Sequence, residues 1–268
     1  MYDYEYRRAS SLEEATALIT AAEDSRLLAG GMSLVPAMKH RLTRVSRLVD
    51  INAVPGLSFI ERTADGIDIG AMTRHESVAR SEVVTQRVPG LAVLAGGIGD
   101  VQVRHRGTIG GSISNNDPGA CYPSAVLGLG ATVHTTRRRV ESDAFFTGMF
   151  STALEPGEIV TKVSFPIPRD SAYVKFHNLA SRFSIVGVFL ARFDRVVRVA
   201  VTGAGPCVFR VSEFEARLSE RFSPQALSDA VVSPDNLISD LHGSAEYRAY
   251  LIPILTRRAV EQCLASRS

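Results

Sequence analysis

From Arg104 to Gly119 the chain reads Arg104-His105-Arg106-Gly107-Thr108-Ile109-Gly110-Gly111-Ser112-Ile113-Ser114-Asn115-Asn116-Asp117-Pro118-Gly119. This run of glycine, hydroxyl and amide residues has two arginines at its entrance and almost no bulk. It is expected to be a loop. Glycines permit φ > 0 and let the backbone approach a ligand closely. Successive N–H groups in such a turn form a concave nest suited to a phosphate oxygen, and Thr108, Ser112 and Ser114 add hydroxyl donors. An ordinary polar surface loop has the same composition, so the reading depends on a second feature elsewhere.

That feature is a second glycine turn. Ser11-Leu12-Glu13-Glu14 reads as a capping box, followed by Leu12, Ala15, Ile19 and Ala22 at helical spacing. Arg26-Leu27-Leu28-Ala29 reads as a strand running into Gly30-Gly31-Met32-Ser33, with Ser33 capping a helix through about Arg41. A helix start behind a glycine turn is a ready anion site. Lys39 nearby is read as solvated. Arg47 to Ile51 supplies another strand, completing a small βαβαβ-like lobe. The turn lacks the Gly-x-Gly-x-x-Gly pattern of the doubly wound dinucleotide fold, which argues against a nicotinamide-binding domain.

Beyond Pro55 short strands and tight turns are expected. Leu57–Glu61 and Ile67–Ile69 read as a hairpin about Asp65-Gly66, and Thr73-Arg74-His75-Glu76 as a capping box. Pro89 opens a helix ending at Gly96-Gly97. After the polar stretch come a buried helix at Ser124–Leu129 and strands at Ala131–Thr136, Val140 and Glu158–Phe165. Pro166 and Pro168 mark a boundary, because proline does not join a central strand. Four strands between Tyr173 and Val211 then form a small antiparallel sheet. Helices follow, one capped by Ser212, one opened by Pro224, and one from Ser244 to about Leu264 that contains Pro253.

Composition excludes several chemistries. Three cysteines (Cys121, Cys207, Cys263) and six histidines show no cluster or zinc spacing, so no metal is expected in this chain. No nucleophile elbow is present, so redox chemistry would need an organic cofactor. A net charge of +2 on 268 residues gives no case for nucleic acid. No apolar run approaches a membrane span, and the acidic, aromatic start is unlike a signal peptide, so a cytoplasmic location is expected.

Ala29-Gly30-Gly31-Met32-Ser33, joined to Thr108-Ile109-Gly110-Gly111-Ser112 and Asn116-Asp117-Pro118-Gly119, resembles the FAD-binding subunits of molybdenum hydroxylases. The likeness is to the medium chain of aerobic carbon monoxide dehydrogenase-type enzymes, and it extends through Leu154–Val160, Lys175, Ala180-Ser181-Arg182 and Ala245–Arg248. It implies an α+β fold with a two-lobed FAD-binding domain of the p-cresol methylhydroxylase type over residues 1–168 (lobes about 1–55 and 56–168). A smaller C-terminal α+β domain of the CO dehydrogenase flavoprotein type would cover 171–268.

The resemblance also implies one non-covalent FAD, contacted by Ala29 to Ser33 and Thr108 to Ser112, with Asp117 and Cys121 near the polyol. Ile98, Val160, Lys175 and Phe183 fall at further family contact positions. Each of these four reads equally well as core, strand, solvated or packed. Met32 stands where histidine or glutamine is usual, Ser112 where asparagine is usual, and Cys121 where the family has an aspartate. By implication, electrons pass from [2Fe–2S] clusters in a small subunit to FAD in this chain and on to an external acceptor. A large subunit would hold the molybdenum cofactor, in a dimer of heterotrimers. A free-standing FAD oxidoreductase, or a structural subunit that has lost its flavin, are the alternatives.

Overall fold

The computed structural model describes residues 1–266. The N-terminal lobe is a three-stranded parallel sheet of β1 (Glu5–Arg8), β2 (Arg26–Leu28) and β3 (Arg47–Asp50) in the order β1-β3-β2. Its crossovers are α1 (Leu12–Thr20) and α2 (Leu34–Lys39). Ser11 caps α1 by accepting the Glu14 amide, while the Glu14 carboxylate receives the Ser10 amide at 2.8 Å. Ala9, Ala15, Val49 and Ile51 form the buried centre of this lobe.

The second lobe is an antiparallel sheet in the order β4-β5-β10-β6-β7. Its strands are β4 (Ile60–Arg62), β5 (Gly66–Gly70), β6 (Thr132–Thr135), β7 (Arg139–Glu141) and β10 (Val160–Pro166), while β8 (Phe146–Gly148) and β9 (Ser151–Thr152) form a separate hairpin. Between β5 and β6 lie six helices: α3 (His75–Arg80), α4 (Glu82–Arg87), α5 (Pro89–Gly96), α6 (Val101–Arg106), α7 (Ile109–Asn115) and α8 (Tyr122–Leu129). The short α9 (Ser142–Phe145) follows β7.

The third sheet, β11 (Asp170–His177), β12 (Ser184–Arg192), β13 (Val197–Thr202) and β14 (Phe209–Arg210), is antiparallel in sequential order. On β12 the side chains alternate as a two-sided buried strand requires. Phe189 and Ala191 join the core that contains α5 and α8, while Val186, Val188 and Leu190 pack with α10 (Ser212–Glu220) and α11 (Ala245–Ala265). This packing seats the C-terminal sheet directly behind α5 and α8, and so next to the glycine-rich stretch.

Several local expectations need correction. The stretch around Thr108–Ser112 is not a loop: α6 and α7 occupy most of it, and Gly110 and Gly111 lie inside a helix with ordinary helical φ. Tertiary bonds override the poor helix propensity here. The Gly110 amide donates to Ala71 O at 2.8 Å and the Ile109 amide to Thr73 O at 3.2 Å. Ser33 stands at the start of α2 but makes no side-chain cap, and α2 ends at Lys39 rather than Arg41. Thr73 does not cap α3, because its hydroxyl is bonded to the backbone of Phe59. Ser212 lies within α10, whose cap position is Val211. Pro166 ends the central strand β10 opposite Gly66, so the strand runs one residue into the expected boundary. Strands β1, β8 and β9 and helices α4 and α9 lie where the sequence offers no clear signal.

Candidate functional site

The two glycine segments meet across one cleft of about 540 Å³. One wall is the turn from Ala29 to Leu34, with Met32 and Ser33 at its exposed rim. The opposite wall is Gly107, Thr108 and α7, and the segments touch: a Cβ on Gly111 would lie 3.6 Å from Ala29 Cβ. Gly31 has φ +76°, a conformation that favours glycine.

Hydrogen bonding separates the two walls. At α7 the amides are already engaged: Ile109 and Gly110 donate to backbone carbonyls, Gly111 to Thr108 Oγ at 3.1 Å, and Ser112 to Thr108 O at 3.0 Å. On the facing wall, among the described residues, the amides from Gly30 to Leu34 have no protein acceptor. Five backbone donors left free at the head of a helix form a place for an oxyanion. The nest therefore lies on the first glycine segment. The second supplies close packing and the Ser112 and Ser114 hydroxyls.

Other expected residues take definite places. Ile98, Val160 and Phe183 also line the cleft, with Val160 buried on β10 and Phe183 half exposed on the loop before β12. Cys121, 5% exposed, stands at the start of α8 and also lines the cleft. Asp117 lines it too, its carboxylate accepting the Gly119 amide at 2.8 Å, and burial raises its pKa. Two residues do not face the opening. Ile109 turns its side chain wholly into the core. Lys175 lies one layer back, donating to Gly97 O at 2.6 Å and Arg182 O at 3.0 Å, the neighbours of Ile98 and Phe183. It fastens two pieces of the cleft wall together.

Sequence reading missed His75, Phe150 and Glu158, which also line the cleft. His75 is 4% exposed, and its Nδ1 is enclosed with no partner among the described residues. Burial, with Arg74 and Arg104 nearby, lowers its pKa to about 4, so the ring is neutral near pH 7. Glu158 is lowered to about 2, chiefly by Arg138 at 3.0 Å, with the Glu155 amide and Thr135 hydroxyl also donating. No spacing rule announces either residue; a histidine just after Thr73 reads only as part of a helix start. Among the described residues there is no cluster of histidine, cysteine and carboxylate side chains fit for a metal, and no helix is long and apolar enough to cross a membrane.

The family described as "FAD binding domain in molybdopterin dehydrogenase" matches residues 2–168. The nicotine 6-hydroxylase medium subunit of Paenarthrobacter nicotinovorans is 36% identical over 269 residues, covering 95% of each chain. The carbon monoxide dehydrogenase medium chain of Hydrogenophaga pseudoflava is 33% identical over 281 residues, covering 98% of this chain and 97% of the relative. Among solved structures, reconstituted CO dehydrogenase from Oligotropha carboxidovorans contains a chain that superposes with a TM-score of 0.89 at 31% identity, covering 98% of both chains.

Proposed function

The chain belongs to the FAD-binding medium subunits of the molybdenum hydroxylase family, and from that premise we propose that it holds one FAD non-covalently as the electron outlet of a larger complex. The observation that carries the reading is the row of five amides from Gly30 to Leu34, without an acceptor among the described residues, beside a cleft that Ile98, Val160 and Phe183 also line. The residues fit the cofactor. The Gly30–Leu34 amides would take the pyrophosphate, with the small Ala29 beside it and Gly31 supplying the positive φ that the turn needs. Thr108, Gly110 and Gly111 hold the facing wall in place from behind, and Ser112 offers a hydroxyl. Asp117 and Cys121 stand where a polyol would pass, and Ile98, Val160 and Phe183 offer an apolar seat for a ring system. Ile109 and Lys175 contribute from behind the wall.

FAD, when bound, would supply the capacity to carry electrons between an iron–sulfur partner and an external acceptor. This chain's residues need move no proton for that. They bind and orient the cofactor. The [2Fe–2S] clusters would reside in a small subunit and the molybdenum cofactor in a large one, assembled as a dimer of heterotrimers in the cytoplasm. The division into a flavin-binding domain over 1–168 and a C-terminal domain from 171 belongs to the same reading.

Acid precipitation of the native protein tests it. Yellow FAD should appear in the supernatant, and iron and molybdenum should co-purify with two further chains. A colourless native protein would refute flavin binding. A lone active chain free of both metals would establish the free-standing flavoenzyme instead.

A further inference from the structure

The two glycine segments cross at Gly30 and Gly107. A Cβ on Gly30 would overlap the Arg106 carbonyl and lie 2.7 Å from Gly107 Cα, so the segments are already in contact there. Beside the crossing, two side chains join the lobes. The Arg74 guanidinium donates through Nη1 to the Arg106 carbonyl and through Nη2 to Asn52 Oδ1 at 2.6 Å. Asn52 in turn donates through Nδ2 to the Ala29 carbonyl at 2.9 Å. Asp50 fixes the amide's orientation, its Oδ1 accepting from the Asn52 backbone at 2.8 Å and from Nδ2 at 2.6 Å. Asp50 is held in place by Tyr6, whose hydroxyl donates to Oδ2 at 2.6 Å.

The path Arg106–Arg74–Asn52–Ala29 thus runs from one cleft wall to the other. Ala29 and Gly107 line the cleft, whereas Arg74 and Asn52 do not. Asn52 also sits just before Pro55, where the chain leaves the small lobe. We infer that Arg74 and Asn52 are positioning residues that set the separation of the two glycine segments, and through it the affinity for the cofactor, without touching the cofactor themselves. The inference rests on the FAD reading above. A guanidinium suits the task because its planar fork reaches two acceptors at fixed angles, whereas an ammonium is a single point.

The test is a double-mutant cycle on the flavin-stripped protein in its native complex, titrated with FAD. Arg74→Met and Asn52→Leu should each raise Kd about tenfold, mostly through faster release. The double variant should also lose about tenfold rather than a hundredfold, because both replacements break one path. The thermal midpoint of the stripped variants should fall by only a few degrees, the cost of the lost bonds between the lobes. Arg74→Lys, which keeps the charge and disturbs folding least, should weaken binding several-fold. Additive losses, unchanged affinity in Arg74→Lys, or stripped variants whose midpoints fall in step with affinity would each overturn the assignment. A wild-type protein that takes up no FAD would refute the cofactor reading instead.

Discussion

Lys175 Nζ lies 3.6 Å from Cys121 Sγ, and the other partners of that ammonium are the carbonyls of Gly97 and Arg182. Ser184 Oγ stands 3.6 Å from the same sulfur. A carboxylate in place of the thiol would therefore meet a cation and a hydroxyl donor on arrival. Burying an unpaired carboxylate is costly, but this position is not unpaired.

Cys121→Asp is accordingly expected to tighten FAD binding several-fold, because a charged acceptor would face the polyol while Lys175 neutralises it. Titration of the flavin-stripped protein measures it. The same substitution combined with Lys175→Met should lose the gain, since the carboxylate would then be stranded.

The glycines of the two segments should respond differently to added bulk. A Cβ on Gly110 would stand 2.6 Å from Ala71 Cβ and 2.7 Å from Ala71 O, inside the core of the second lobe. Gly110→Ala should therefore destabilise the fold by about 1–3 kcal/mol, read as a lower thermal midpoint with or without flavin. Gly31 has φ +76°, and a Cβ there would meet Leu28 Cδ1 at 3.1 Å and Val35 Cγ2 at 3.2 Å, so Gly31→Ala strains the amide nest itself at about 1–2 kcal/mol. Its main signature should be lost FAD affinity. Equal thermal losses with equal flavin binding in the two variants would contradict the division between nest and packing wall.

His75 gives the protein an acid sensitivity. Its pKa falls from an ordinary 6.5 to about 4 on folding, so the folded state binds fewer protons than the unfolded chain between those values. Stability from this group is full above about 6.5 and is lost as pH falls towards 4. His75→Phe should flatten the decline of thermal midpoint across that window. An unchanged slope would mean that the ring charges without penalty.

Much of the frame was legible because its signals are local. Ser11 with Glu14, Pro89 with Gly97, and the two-sided apolar run of β12 each fix an element from a few neighbouring residues. The candidate site was legible as two glycine segments but not in its division of labour. The stretch from Arg104 to Gly119 reads as loop because the glycine, serine and asparagine residues from Gly107 onward disfavour helix. What makes them helical is the docking of α7 on Ala71 and Thr73, some 35–40 positions earlier in the chain. Arg74 and Asn52 carry no pattern either, because their meaning lies in a path between lobes.

Glu158 offers the last test, and one that leaves the flavin aside. Its side chain is fully enclosed and holds three donors from three places: Arg138, the Thr135 hydroxyl and the Glu155 amide. The group thus pins the turn after β6 to the turn before β10, next to Ile159 and Val160 on the cleft wall. These donors favour the charged form and lower its pKa from 4.5 to about 2. The unfolded chain consequently binds the proton first as pH falls. The stability contributed by Glu158 is complete above about 4.5 and disappears as pH drops through about 2, a lower window than that of His75. Glu158→Gln keeps the shape but cannot carry the charge, and it places an amide donor against Arg138. It should lower the thermal midpoint at pH 7 and leave a smaller difference from wild type near pH 2. A gap that stays constant across this range would show that packing, not charge, fixes the turn.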